Sequence, residues 1–159
     1  MATIRKQHAR DVPIPVADMD ARLSTLGRPG DEVWPGEAWF PMRLNASVAE
    51  GGAGGHGPVR YHASHRAPGE VSFTFDSILG SSRWEGSHTF TVHEMPGGCR
   101  LTHLVELRVP LWQAVQWQVL VGPLHDAVLE DLLDKAVSGT PARRWTPWIR
   151  VLRRVYPLG

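Results

Sequence analysis

Between Trp84 and Ala136 the chain alternates apolar and polar residues over two runs, then changes to a helical period. In the first run His88, Phe90 and Val92 share one side, while Ser87, Thr89, Thr91 and His93 share the other. After the turn MPGG, the residues Leu101, His103, Val105 and Leu107 repeat the pattern. A period of two with one apolar face specifies a half-buried antiparallel hairpin. Aligning Glu94 with Cys99 across the turn sets Phe90 opposite His103 and His88 opposite Val105. The helix that follows opens after Pro110, is expected to reach about Val137, and stops at Gly139. Its apolar face carries Trp117, Val121, Leu124, His125, Val128, Leu132 and Ala136, and Asp126, Glu130 and Asp134 form a stripe expected on the solvent side. Each apolar face thus contains a histidine. A sheet curving around such a helix can enclose a cavity with a few polar groups among apolar walls, as small-molecule sites are built.

The rest of the chain narrows the class. Its 159 residues suit one core. A hydrophobic content of 42% with 21% charged residues is that of an ordinary soluble domain. No apolar run is long enough to span a bilayer, and the opening MATIRKQHARD has no secretory pattern. One cysteine, Cys99, leaves no internal disulfide and suits a reducing cytoplasm, the expected location. Charge is unevenly spread. Residues 140 to 159 hold Arg143, Arg144, Arg150, Arg153 and Arg154 and no acid, which leaves 12 bases against 16 acids before them. An acidic body with a basic tail is not the footprint of a nucleic-acid-binding fold, so no such partner is expected.

Residues 3 to 12 read as an opening strand. VADMDARLSTLG reads as a short helix, with Asp18 as its cap and Gly27 as its stop. Residues 28 to 43 form an irregular segment with Trp34, Trp39 and Phe40 turned inward. GGAGGHG matches G-x-G-x-x-G from Gly52 to Gly57, yet PVRYHASHR after it is an alternating strand. No helix N-terminus is then available for a pyrophosphate. Strands over 58–66 and 70–76 are expected to align Arg66 with Glu70, Tyr61 with Phe75, Ala63 with Phe73 and His65 with Val71. Gly122 and Pro123 predict a kink in the long helix.

EGSHTFTVHEMPGGCRLTHLVEL and VGPLHDAVLEDLLDKA, with weaker support from IPVADMDARLSTL and GGHGPVRY, give the chain a resemblance to the START-like (SRPBCC) superfamily. That superfamily includes polyketide cyclase/dehydrase-like and birch-pollen-allergen-like proteins. The resemblance covers residues 3 to 137. It implies an α+β helix-grip fold, a curved antiparallel sheet wrapped around a long C-terminal helix. It also implies an apolar cavity used by different members for lipid, steroid or polyketide binding, or for catalysis. Residues 1–139 would form the ligand-binding domain and residues 140–159 a basic extension with a short helix of its own.

The expected ligand-binding wall is Tyr61, Phe73, Phe75, His88, Phe90, His103, Trp117, Val121 and His125. With only histidine and tyrosine breaking its apolar pattern, an uncharged hydrophobic or aromatic ligand fits, and no cofactor is expected. No metal is expected either: zinc needs three or four converging ligands, and His62 and His65, three apart on a strand, face opposite sides. No G-x-S-x-G elbow, paired Cys–His or pair of buried carboxylates marks a nucleophile or an acid–base pair. The leading reading is a small-molecule binding protein. One alternative is a polyketide cyclase- or dehydratase-like enzyme using pocket histidines or Tyr61. The other is a peripheral lipid carrier. In TPWIRVLRRVYP, the residues Trp145, Trp148, Ile149, Leu152 and Val155 make an apolar stripe beside arginines. Such a helix can lie on an anionic membrane through residues 143–156. Docking on its own domain or in a homodimer is the expectation, because so short a helix needs a partner surface.

Overall fold

The computed structural model describes residues 1–155. One antiparallel sheet has the order β1-β7-β6-β5-β4-β3-β2. Its strands are β1 (Ala2–Val12), β2 (Arg43–Leu44), β3 (Ala53–His56), β4 (Val59–Ala67), β5 (Glu70–Ile78), β6 (Glu85–Met95) and β7 (Gly98–Val109). Helix α1 (Val16–Leu23) follows β1. The long helix comprises α2 (Leu111–Gln116), a π turn (Trp117–Val121) and α3 (Gly122–Ser138), and α4 (Pro147–Val155) closes the described chain. The sheet curves around the long helix: this is the helix-grip architecture. The extension expected over residues 140–159 lies outside the described residues from 156 onward.

The β6–β7 hairpin has the expected register, with Glu94 opposite Cys99, Phe90 opposite His103 and His88 opposite Val105. In β4–β5 the register agrees at Tyr61–Phe75 and Ala63–Phe73, then shifts by one residue at Ser64. His65 therefore pairs with Ser72, Arg66 with Val71 and Ala67 with Glu70, not as the even alternation predicts. A bulge of this kind adds a residue to one strand and bends it. It also puts His62 and His65 on the same face, where each meets its own acid, Asp76 at 2.9 Å and Glu70 at 3.8 Å. Arg66 is turned toward α1, whose Asp20 accepts from it at 2.8 Å and from the Gly69 amide at 2.7 Å. Helix α1 has Pro15 at its N-cap with no side-chain cap, so Asp18 lies inside the first turn rather than capping it.

The glycine run holds no nucleotide cradle. Gly54 sits where a Cβ would lie 1.9 Å from the Arg43 carbonyl, and at Gly55 (φ +154°) one would lie 1.9 Å from that of Val59. These glycines let β2, β3 and β4 approach closely.

Although Glu130 stays half exposed, the acidic stripe of the long helix is not left to solvent alone. It meets edge strand β1, whose even-numbered residues point toward the helix. Lys6 reaches Asp126 at 2.9 Å, and His8 bridges Asp126 and Glu130, both at 2.9 Å. Arg10 joins Glu130 at 2.6 Å and also Asp134. The hydrogen bond to Asp126 raises the His8 pKa above 6.5 despite its burial. Protonated His8 therefore contributes stability that is complete below the unfolded value and is lost as pH rises through the folded one. Replacing His8 with Gln is expected to cost about 1 kcal/mol at about pH 6 and only a few tenths at about pH 9. Urea unfolding of both proteins at the two pH values measures the difference; an equal gap would show that the charge contributes nothing.

Pro123 acts through the π turn, which accommodates the missing amide ahead of it. Proline cannot donate to the Val119 carbonyl; the indole Nε1 of Trp148 does so instead, at 2.9 Å. The tail is therefore docked on its own domain. Ile149 and Leu152 are buried, and the Arg153 guanidinium lies 3.9 Å from the Trp145 ring centroid and 4.7 Å from that of Trp39. Beneath them Asp131, 2% exposed, accepts from Trp39 Nε1 and Trp145 Nε1 at 2.8 Å and from the Arg143 amide at 2.7 Å.

Candidate functional site

A cavity of about 140 Å³ lies between the concave face of the sheet and the long helix. The strands supply Phe75, His88, Phe90 and His103 to its wall, and the helix supplies Trp117, Val121, Leu124, His125 and Val128. These residues converge because the strands share one parity and the helix turns one face toward them. The irregular segment closes the end with Trp34, Trp39 and Phe40, and His56 enters from β3. Among the described residues, no Lys, Arg, Asp or Glu lines the space.

Seven of the nine residues expected in the wall are there; Tyr61 and Phe73 are not. Both are fully buried behind it. The Phe73 ring stacks on His88 at 4.9 Å and the Tyr61 ring meets His88 edge-on at 5.0 Å, so the imidazole stands between them and the cavity. The curvature of the sheet crowds rings that parity alone places side by side. The Tyr61 hydroxyl is hydrogen-bonded to His56 Nδ1 at 2.9 Å, and burial pushes its pKa above the ordinary value. It is a support for His56 and not an available acid.

The four wall histidines are electrically neutral near pH 7. Burial lowers His56 to about 3 and holds His88 and His103 well below 6.5. It lowers His125 too, with the Asp126 hydrogen bond opposing. His88 Nδ1 and His103 Nε2 share a hydrogen bond of 3.2 Å. Their outer atoms, His88 Nε2 and His103 Nδ1, and also His125 Nε2, are buried without a protein partner. Unpaired polar atoms in so apolar a place are costly, about 1–3 kcal/mol each, unless something satisfies them.

His103 and His125 stand 5.3 Å apart between ring centroids, and His125 Nδ1 lies 3.3 Å from Asp126 Oδ1. A line of imidazoles therefore runs from the cavity to the β1 seam. Where it reaches the seam, His8, His125 and Asp126 bring ligand-type atoms within 4.8 Å of one another. Lys6 already sits 2.9 Å from Asp126 and would compete with a cation, so the ion pairs account for this group. Burial raises the Asp126 pKa, but hydrogen bonds from His125, His8 and Lys6 outweigh it and hold the carboxyl well below its ordinary value.

His56 was hidden from pattern reading by the glycines around it, which break strand alternation. Asp131 had a legible signal: it sits one step from the acidic stripe, toward the apolar face. Cys99 is buried at the β7 start, where desolvation raises its thiol pKa, as for a structural residue.

No protein-family model matches this chain, and no curated protein matches it in sequence. Solved structures do resemble it. CalU16 from Micromonospora echinospora aligns with a TM-score of 0.58 at 17% identity, over 96% of this chain and 82% of its own. DynU16, from the dynemicin biosynthetic locus, aligns with a TM-score of 0.56 at 19% identity, over 89% of this chain but 51% of its own. A conserved protein of unknown function from Enterococcus faecalis gives a TM-score of 0.63 at 12% identity, over 98% and 84%. At these identities the likeness is one of fold.

Proposed function

We propose that this helix-grip protein is a START-like small-molecule binder that holds a neutral, mainly aromatic ligand in the cavity. One observation carries the reading: buried, unpartnered nitrogens of His88, His103 and His125 on an otherwise apolar wall. The ligand supplies apolar surface to the aromatic walls and a hydroxyl or carbonyl to an imidazole. A cavity of about 140 Å³ matches the roughly 150 Å³ that holds benzene in an engineered core, and falls below the roughly 300 Å³ of drug-sized pockets. One ring fits as it stands; a polycyclic ligand requires the helix to move near its π turn. DynU16, which shares the fold, belongs to the dynemicin biosynthetic locus, which is compatible with a biosynthetic small molecule as ligand.

The test uses phenol and benzene as probes, followed by calorimetry and by the ring ¹⁵N resonances of the histidines. Phenol is expected to bind more tightly than benzene and to shift His88 or His103, reversing the order of a purely apolar cavity. Benzene binding at least as tightly, with those resonances unmoved, would overturn the reading. Mass spectrometry of small molecules released from the purified protein then identifies the native occupant.

A second reading, an acid–base enzyme of the cyclase or dehydratase kind, rests on the His88–His103 hydrogen bond. Two neutral imidazoles joined this way always leave one N–H and one bare nitrogen at their outer ends. When the bare outer nitrogen takes a proton from a ligand and the outer N–H gives one up, the shared proton crosses between the rings and the two roles exchange. Such a pair can give a proton at one atom of a ligand while taking one at another. Recovery of a supplied aromatic polyketide unchanged supports the binder; its conversion, lost in His103→Phe, supports the enzyme.

A further inference from the structure

We propose that the outer face of the long helix's first half and the free face of α4 form one docking surface for an anionic lipid bilayer. This goes beyond the cavity reading and does not depend on it. Of ten large hydrophobic residues exposed among the described residues, seven lie here: Leu111, Trp112, Val115 and Val119 on the long helix, and Trp148, Val151 and Val155 on α4. The first four recur at helical spacing on one face, and the last three do the same. Trp148, hydrogen-bonded to the Val119 carbonyl, joins the two groups. Scattered exposed apolar residues need no explanation, but a contiguous group of this size does.

The tail's other face is already used. Ile149, Leu152 and Arg153 pack inward against the domain, so the residues left outside are not simply an undocked helix. Charge selects the partner. From Leu111 to His125 the helix has no charged residue, and residues 140 to 159 contain arginines and no acid. Arg144, Arg150 and Arg154 are exposed beside the apolar group and form no ion pair among the described residues. The acids of the long helix lie elsewhere, at the β1 seam or, as Asp131, buried under Trp39 and Trp145. Two copies meeting face to face would oppose arginines with no acid in the patch to receive them. A bilayer surface with anionic headgroups supplies both what the apolar residues and what the arginines lack, and tryptophan is the residue suited to that boundary. The same helical stretch turns Trp117 and Val121 into the cavity wall, so a bilayer bound at Val119 would lie just outside that wall.

Flotation of the full chain with phosphatidylcholine vesicles, with and without phosphatidylglycerol, tests this. Binding is expected only with the anionic lipid, to weaken as salt rises, and to be accompanied by quenching of tryptophan fluorescence by brominated lipid. Arg150→Gln with Arg154→Gln is expected to lower the partition coefficient about 30-fold, from the typical contribution of each basic residue near an anionic surface. Leu111→Ser with Val115→Ser, both largely exposed positions that should not perturb folding, is expected to remove the quenching. Absence of flotation by the folded full chain would overturn the proposal. So would flotation indifferent to both pairs of substitutions. Sedimentation showing a dimer that Leu111→Ser with Val115→Ser dissociates would assign the face to a second copy instead.

Discussion

Mild acidification, from neutrality to about pH 5, is expected to unfold this protein cooperatively. Burial keeps His56, His88 and His103 neutral in the folded chain, whereas in the unfolded chain each titrates near 6.5. Below that value the unfolded chain binds protons that the folded chain refuses, so stability falls as pH falls. Each group removes up to about 1.4 kcal/mol per pH unit, and the three together about 4 kcal/mol. His125, also lowered by burial, adds to the slope. Against a typical total of about 5–15 kcal/mol, a pH unit or two is decisive. His8, whose pKa is raised, acts in the opposite direction but in the window above 6.5, so it does not offset the loss. Urea unfolding at a series of pH values from about 7.5 to about 5.5 measures the slope, and His88→Phe should flatten it by roughly a quarter to a third. Stability unchanged across that range would mean that the imidazoles take up protons without unfolding, and that the cavity is wetter than its walls imply.

Asp131→Ala is expected to cost about 4 kcal/mol, because it removes the acceptor of the buried Trp39 indole N–H and of the part-buried Trp145 indole N–H and Arg143 amide. For a chain of this length that lowers Tm by roughly 8–16 °C. Asp131→Asn separates the causes. Oδ2 accepts both indoles and Oδ1 accepts the Arg143 amide. An asparagine can therefore keep the indoles and lose the amide, at about half the cost. Calorimetry gives the two values, and limited proteolysis near residues 140–146 should show the tail released in Asp131→Ala. A loss below about 1 kcal/mol would mean that water satisfies these donors and that the carboxylate is not the tail's anchor.

Much of the framework was legible because its determinants are local. Alternation between Ser87 and Leu107 and a tight turn at Pro96–Gly97 are enough to place His88 beside His103, since a one-residue slip would turn every apolar side chain to the wrong face. The same parity logic placed Phe75 and Phe90 in the wall, and helical spacing placed Trp117, Val121 and His125 there. It failed at Tyr61 and Phe73, where facing the concave side proved different from touching the cavity. It failed again beyond Ser64, because a bulge leaves no mark in an alternation of polar and apolar types. Trp34, Trp39 and Phe40 were recognisably inward, but an irregular segment has no period from which to read which wall it completes.

Local patterning was enough for the hairpin register, the extent of the long helix, and the uncharged character of the space they face. Each follows from periodicity and from residues whose backbone preferences act within a few positions. Packing of the helix against the sheet decided that the acids Asp126, Glu130 and Asp134 belong to Lys6, His8 and Arg10, more than a hundred residues away. Packing also decided that Asp131 holds the tail through Trp39 and Trp145, and that the imidazoles form a connected line. These depend on which surfaces meet when sheet and helix close. A charged or aromatic side chain carries its chemistry in the sequence, but its partner is chosen by packing.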